Sequence, residues 1–476
     1  MGRFETVQRI ATLVWVLTVP LGAQQAPPSP DRAWPVPQDA RFQAQVAQTP
    51  AIARPTLDPN HLYTLSDLVD IAERNNPITH AVWEQAKQRA AAAGIARSAL
   101  FPTLAALASA SYNQYSLFVT RFYHEDLATF PATLSVNYTV FDFGARNAKI
   151  DQARANLLAA DFTFNDTHRK VVFEVVEAYY RLLDAMSQED AAQATLTDAQ
   201  TVQKAIESRL ANGLATLPDV LEARAATAQA RYELVSIRGL EDIARGVMAN
   251  VLDVAPSVPF RVEDVSQSPL PAAVEEPVQT IIARALSQRP DLLTEVARLR
   301  SADAAIRGAR AAYYPTLSFS GDWGHRNSYG SQNLNPVISS HIYPYSAQLN
   351  LSWTIFDGGA RRNQLASTES QRREAQAQLA SSRNQIENEI WTAYSNLKTA
   401  QGQREAADAL LEAAEQSYSA ATRSFQAGVR TFIDVTTAQR DLARARTAEA
   451  SARVQVLIAL ADLAFRAADP IPGAQR

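Results

Sequence analysis

From Thr133 to Val140 large apolar residues alternate with small polar ones, in the order Thr133-Leu134-Ser135-Val136-Asn137-Tyr138-Thr139-Val140. The stretch from Gln348 to Ile355 repeats the alternation in the same register, and Thr316 to Trp323 does likewise. A period of two sorts a strand into one apolar and one wet face. Thr103 to Tyr112 is a weaker, alanine-rich version. Each half of the chain therefore predicts two strands of roughly 9 to 12 residues joined by a loop, the length that crosses a membrane as a tilted strand. A soluble sandwich strand with one solvated face would carry the same period. Four such strands in two registered hairpins favour a lipid-facing barrel, with Tyr112, Tyr138, Trp323 and Trp353 near the predicted ends as interface anchors.

Most of the remainder reads as helix. Ser66 is a candidate cap for a helix running to about Leu100, interrupted at Asn76-Pro77, and Arg289-Pro290 interrupts the second half at the equivalent place. Pro102 and Pro315 stop these helices. No proline occurs between Gly144 and Pro218, or between Gly359 and Pro470. Residues 144 to 211 form a continuous Ala-, Gln-, Glu- and Arg-rich stretch in which Ile150, Leu157, Phe164, Val172, Val176, Tyr179 and Leu183 recur near coiled-coil spacing. At 1.5 Å per residue this is a rod of roughly 100 Å, longer than any globular core. Both rods end at glycine turns, Asn212-Gly213-Leu214 and Ala427-Gly428-Val429. Return helices begin at Thr216-Leu217-Pro218-Asp219 and Thr431-Phe432-Ile433-Asp434, where threonine followed three residues later by aspartate resembles a capping box.

The chain contains itself twice. Ala99 to Leu104 returns 213 residues later as Ala312 to Leu317, and Tyr138 to Arg146 returns after 215 residues as Trp353 to Arg361. The offset stays at 215 from Tyr179 to Tyr394, Gly213 to Gly428 and Asp219 to Asp434, so a hairpin loop grew by two residues between the copies. Such a period marks a structural unit used repeatedly. The divisions that follow are 1–23, a signal peptide; 24–60, a proline-rich extended lead-in; 61–252, the first repeat, with its hairpin at about 103–142 and tip at 212–219; 253–280, a linker; 281–466, the second repeat, with its hairpin at about 316–357 and tip at 427–434; and 467–476, a tail.

Arg3 and Arg9 precede an apolar stretch from Ile10 to Leu21, and Gly22-Ala23 offers a small-residue cleavage site, the layout of a secretory signal. An N-terminal membrane anchor is the competing reading, but about twelve residues broken by threonines and Pro20 are too few to span a bilayer. No other apolar run approaches the length of a transmembrane helix. A net charge of −4 disfavours a binder of nucleic acid, which normally presents a basic face. The absence of cysteine excludes structural disulfides, thiolate metal sites and cysteine nucleophiles. His61, His80, His124, His168, His325 and His341 show no ligand spacing, and His124, His325 and His341 are expected in surface loops. Asp142-Phe143-Gly144 imitates a kinase metal-binding triplet without its companion motifs, and reads instead as a strand-to-helix junction capped by Asp142, as Asp357 caps the second. No nucleophile, base or cofactor cradle supports an enzyme, and no cofactor or metal is expected.

Four strands cannot close a barrel, and an open edge cannot stand in lipid because its backbone groups would go unsatisfied. Closure must come from other copies, and three copies give a barrel wide enough for a lumen. The two-copy plan, the Phe-Asp-x-Gly-x-Arg junctions (Asp142, Gly144, Asp357, Gly359) and the Gly-x-x-Thr-x-x-Asp-Val tips at Gly213–Val220 and Gly428–Val435 resemble the outer-membrane efflux protein family, the TolC-like channel-tunnels, over about residues 62 to 466. The resemblance implies an α+β membrane protein of long helices and four strands per chain. It implies a homotrimer with a 12-stranded barrel in the outer membrane of a Gram-negative bacterium, a 12-helix periplasmic tunnel, and an equatorial belt from 253 to 280 and the C-terminus. The partners implied are outer-membrane lipid, a periplasmic adaptor and an inner-membrane pump of the RND or ABC type, with a passive exit duct for efflux or type I secretion as the function. A non-porous envelope coiled-coil scaffold is the alternative, and the alternating strands argue against it.

The resemblance also assigns residues. Three copies of Asp434 would ring the periplasmic constriction, and Arg430 matches the family's gating arginine, which pairs with a neighbouring helix pair near the equivalents of Pro218 and Asp219. Thr437 stands where the family's best-known form carries a second aspartate, so this ring is less acidic. Gly213, Thr216, Leu217, Gly428, Thr431 and Phe432 are the expected adaptor contacts at the tips, with Leu217 and Phe432 as exposed apolar groups that could equally staple the helix ends.

Overall fold

A computed structural model describes residues 44–45, 54–118, 122–264, 276–332, 338–471 and 473. The chain divides into two units, Met1–Arg54 and Pro55–Arg476. The expected signal peptide and most of the lead-in lie outside the described residues, as does the middle of the 253–280 linker.

In the second unit β1 (Leu62–Tyr63) is followed by α1 (Leu65–Asn75), α2 (Pro77–Ser98), β2 (Thr103–Ala108), β3 (Ser111–Phe118), β4 (Phe122–Phe141), α3 (Ala145–Ala211) and α4 (Leu217–Val251). After β5 (Arg261–Val262) come α5 (Val278–Gln288), α6 (Pro290–Ala311), β6 (Thr316–Gln332), β7 (Ile338–Ile342), β8 (Tyr345–Ser352), α7 (Ala360–Gln426) and α8 (Phe432–Ala467). Helices of 11, 22, 67 and 35 residues in the first half are matched by helices of 11, 22, 67 and 36 in the second. Thr64, rather than Ser66, caps α1: its hydroxyl accepts the Asp67 N–H while the Asp67 carboxylate accepts the Thr64 N–H. Asn76 ends α1 and starts α2, its Oδ1 accepting the N–H of Ile78 at 2.8 Å, with Pro77 at the first helical position.

The helices form a wall. α3 packs against α4 along its far half and against α2 along its near half, while α8 and α6 lie on its other side and carry α7 beyond them. Each level is therefore a row of four helices with α7 at one edge and α4 or α2 at the other. The largest buried side chains, among them Leu68, Val175, Val176, Tyr179, Leu182, Leu183, Met248 and Leu252, meet midway along α3. Leu57, Tyr63, Phe260, Val262 and Ile471 join them, so 57–63, 252–262 and the start of the C-terminal tail thicken the wall at mid-height. A second core of Ile281, Ala285, Ile386, Ile390, Leu397, Val456 and Leu460 lies on the α7–α8 side.

The sheet is antiparallel, with β4 and β6 paired along their length in the centre. β2 and β3 pair with β4 on one side, and β8 and β7 pair with β6 on the other. β4 has 20 residues and β6 has 17, longer than the 9 to 12 expected, and their outer partners are each broken in two. Both breaks occur at prolines: Ser109 donates to the Pro131 carbonyl across the first, and Pro344 lies in the second. A proline supplies no ladder donor, so the pairing is interrupted beside it. His124, His325 and His341 lie on β4, β6 and β7 rather than in loops. Among the described residues no helix is long and apolar enough to cross a membrane.

Candidate channel wall and helical tips

The register places every alternating segment in phase. Leu104, Val136, Gly321 and Ala347 share one row and one face; Ala106, Leu134, Trp323 and Tyr345 share the next; Tyr138, Phe319 and Leu349 follow. The opposite face carries Thr103, Ser135, Asn137, Ser320, Asp322, Ser346 and Asn350. Among the described residues no helix or second sheet covers the apolar face: Leu104 is 65% exposed, Leu349 68%, Leu351 70% and Trp323 62%. Isolated apolar side chains on a surface mean little, but a continuous apolar sheet face marks contact with something apolar.

Aromatic groups bound this face. At one level Phe130 and Tyr329 meet edge to face and Tyr329 meets His341, while at the other Phe143 stacks on Tyr314 and meets Phe141 edge to face. Trp323 was expected at a strand end and instead sits mid-strand opposite Tyr345. Phe130 and Phe141 are about eleven residue steps apart, roughly 36 Å along the strand at about 3.3 Å per step. Tilted by about 40°, that becomes a band close to the 25 Å apolar girdle of outer-membrane barrels. Among the described residues the sheet leaves β2 and β3 unpaired on one edge and β7 and β8 unpaired on the other.

Each hairpin turns into its long helix through the same device. Asp142 accepts from the N–H of Gly144 and Arg146 and from the Arg146 guanidinium at 3.0 Å, and Asp357 repeats these bonds with Gly359 and Arg361, the last at 2.7 Å. Gly144 and Gly359 adopt φ of 90° and 89°, a left-handed backbone that a side chain would strain. The capping position itself is Gly144 or Gly359 rather than the aspartate expected there, and Asp142 and Asp357, two residues earlier, reach past it to the N–H of Arg146 and Arg361.

At the far ends the tips are built alike. Gly213 and Gly428 take φ of 72° and 74°, letting Leu214 reach the Arg209 carbonyl and Val429 the Ser424 carbonyl. The Asp219 carboxylate accepts the N–H and hydroxyl of Thr216, and Asp434 does the same for Thr431 at 3.0 and 2.9 Å. The Thr431 hydroxyl and N–H, with the charge of Arg430, hold the Asp434 carboxyl below the ordinary carboxylate range. Thr437 lies one turn on and is exposed, as is Arg430.

Phe432 corrects the expectation of an exposed contact. It is 2% exposed, its ring 5.6 Å from that of Phe425, in a cluster with Ile206, Val220, Ala223, Ala421 and Val435 that ties both tips of the chain together. Leu217 does point outward, at 59% exposure, beside exposed Leu214, Val429 and Ile433. The sequence reading missed the bond that the Thr436 hydroxyl gives Glu222 across the two tips at 2.9 Å. It also missed an ion-pair network at mid-height, where buried Arg289 meets Asp291 at 2.6 Å and Glu389 at 3.0 Å while Arg466 meets Glu389 at 3.1 Å. The signal for the latter was a charged residue at the pre-proline position that Asn76 fills in the first copy.

An uncovered apolar sheet face, open sheet edges and rods of this length form one recognisable plan, and the outer membrane efflux protein family matches residues 68–249 and 281–467. The chain belongs to that family. Protein CyaE of Bordetella pertussis is 31% identical over 374 residues, 76% of this chain and 74% of that protein. The pyoverdine export outer membrane protein OpmQ of Pseudomonas aeruginosa is 26% identical over 63% of this chain and 62% of its own length. The fold matches the solved outer-membrane channel OprN with a TM-score of 0.75 at 20% identity, covering 94% of this chain and 99% of that one. VceC of Vibrio cholerae gives 0.71 at 22% identity over 86% of this chain and 96% of that one. The chain is accordingly an outer-membrane protein that extends into the periplasm.

Proposed function

We propose that three copies close edge to edge into a 12-stranded barrel continued by a 12-helix tunnel, a passive exit duct across outer membrane and periplasm. The observation that carries this reading is the pairing of an apolar, uncovered sheet face with unsatisfied edges on the same sheet. In lipid such edges must be paired. The helical wall has edges to match: α4 leaves Leu221, Tyr232, Val235 and Ile243 exposed at helix-face spacing, and α7 leaves Trp391 and Leu410 exposed. The two sequence repeats would then be alternate staves of one cylinder, consistent with their equal helix lengths.

The machine is tripartite in this reading, with an inner-membrane pump of the RND or ABC type and a periplasmic adaptor that seats on the tips. Gly213, Thr216, Gly428 and Thr431 shape those tips, and Leu214, Leu217, Val429 and Ile433 supply apolar contact in place of buried Phe432. Asp434, less Thr437's missing carboxylate, would form the acidic ring, and Arg430 with Asp219 the latch between neighbouring subunits. Relatives are named for pyoverdine export, toluene efflux and cation efflux, which fits a duct whose cargo is chosen by its pump. Purified protein should run as heat-labile trimers and conduct ions in planar bilayers; a monomeric, non-conducting product would overturn the proposal.

A further inference from the structure

Where the helical wall meets the sheet, cationic side chains gather. Arg97 lies in the last turn of α2 and Arg310 in the last turn of α6, with Arg307 a turn before it; Arg146, Arg361 and Arg362 lie in the first turns of α3 and α7, and Lys149 follows in the second turn of α3. Four of these cations already have carboxylate partners: Arg146 holds Asp142, Arg361 holds Asp357, Arg307 meets Asp151 at 2.9 Å and Arg310 lies 3.8 Å from Glu369. Arg97, Lys149 and Arg362 are exposed and form no ion pair among the described residues.

Arg97 and Arg310 suit the negative end of a helix, which explains those two without a ligand. Arg362 does not. It occupies the first turn of α7, where the helix dipole repels cations, and that turn contains no acidic residue. Lys149 follows close behind the equivalent turn of α3, which likewise contains no acid. Exposed cations placed against the local field, with no carboxylate of the chain paired to them, are ready partners for an anion from outside it.

The neighbouring aromatics indicate where that anion lies. The Arg146 guanidinium sits over the ring of Tyr138, 5.7 Å from its centroid, and Tyr138 shares the apolar sheet face with Phe319 and Leu349. Arg361 lies 5.4 Å from the Tyr313 ring, whose residue accepts the Trp353 indole N–H at its carbonyl. Both arginines therefore border the face turned to lipid. Within about 6 Å of the helix ends, the collar spans the depth of one layer of lipid head groups beneath a bilayer core.

We propose that this collar, with Lys149 and Arg362 at its centre, binds the anionic head groups of phospholipids in the periplasmic leaflet, fixing the height of the barrel in the membrane. The inference rests on the sheet lying in lipid as a closed barrel. It is a surface interaction, with the phosphodiester charge met by guanidinium and ammonium groups that neighbouring carboxylates do not satisfy.

Trimers of the wild type and of a Lys149→Gln/Arg362→Gln double variant are reconstituted in vesicles of phosphatidylethanolamine with a minor share of phosphatidylglycerol. They are then re-extracted, and the lipid retained per trimer is measured. The wild type should retain phosphatidylglycerol well above its share in the vesicle, and the variant should lose that enrichment several-fold while still conducting as a trimer. Equal enrichment in both overturns the inference, as does an altered anion preference of the conductance with lipid retention unchanged, which would turn these cations toward the bore. Loss of trimers in the wild type itself would instead overturn the duct. A Lys149→Arg/Arg362→Lys variant, which keeps the charge, should retain the enrichment and so separates charge from folding.

Discussion

Gly324 sits in β6 with its Cα opposite Thr133, and a Cβ added there would meet the Ala132 carbonyl oxygen at 2.5 Å and the Thr133 Cα at 3.0 Å. Backbone cannot yield as a flexible side chain can, so Gly324→Ala should spread β4 from β6 and lower the temperature at which the sheet unfolds, whereas Gly402→Ala, in open space on α7, should not. Heat-modifiability on gels reads the difference. At the tips the chemistry is electrostatic. Asp434 keeps its charge below the ordinary carboxylate range because Thr431 and Arg430 favour the ionised form, so its cap is complete above about pH 4 and is lost as pH falls through the depressed value. Thr431→Ala should remove the same cap at neutral pH, at about 1 kcal/mol, seen as faster amide exchange at the start of α8. The caps were legible because the Thr-x-x-Asp spacing is local. The burial of Phe432 was not, because it depends on Ile206 and Ala421 arriving from other helices.

Among the elements, the long helices could be read almost to the residue, since their boundaries are set by the Asp-x-Gly junctions, the glycine turns and the absence of proline between them. The strands were half legible. Alternation is clear where one face is apolar, from Thr133 to Val140 and from Thr316 to Trp323, but the outer halves of β4 and β6 carry Asp126, Arg326, Asn327 and Ser328 on both faces and show no period. The joint between α5 and α6 was legible only as a break. There Arg289, 8% exposed, replaces the self-sufficient Asn76 cap and ties the joint to α7 and, through Glu389, to Arg466 of α8. Burial alone would raise the carboxyls of Asp291 and Glu389. The hydrogen bonds and charge of Arg289 on Asp291, and the Gln385 bond with the charges of Arg289 and Arg466 on Glu389, outweigh burial and leave both below the ordinary range. Glu389→Gln should therefore cost about 2 kcal/mol at neutral pH, where the wild-type carboxylate is charged. That deficit should vanish as pH falls through the depressed value and both proteins carry a neutral group, which thermal melts between pH 7 and pH 3 would show.

At the scale of the molecule, the unpaired strands β2 and β8 and the exposed stripe on α4 place three kinds of edge on one chain, and a single rotation must satisfy all of them. A ring closes only if the first edge of one copy meets the last edge of the next. The chain has no cysteine, so introduced thiols report on that meeting without background. Ala106→Cys in β2, combined in turn with Ala347→Cys, Leu349→Cys or Leu351→Cys in β8, puts both thiols on the apolar face at successive levels of the two edges. Strands paired in a barrel lie about 4.8 Å apart, within reach of a disulfide for the matching level and beyond it two residues away. One combination should therefore yield, on oxidation in membranes, a covalent ladder ending at three chains and no larger species. A ladder that stops at two chains would mean that the apolar face is covered by a face-to-face dimer. An unbroken ladder beyond three would mean that the edges join without closing, and the lipid-facing reading of the sheet would fall with the ring.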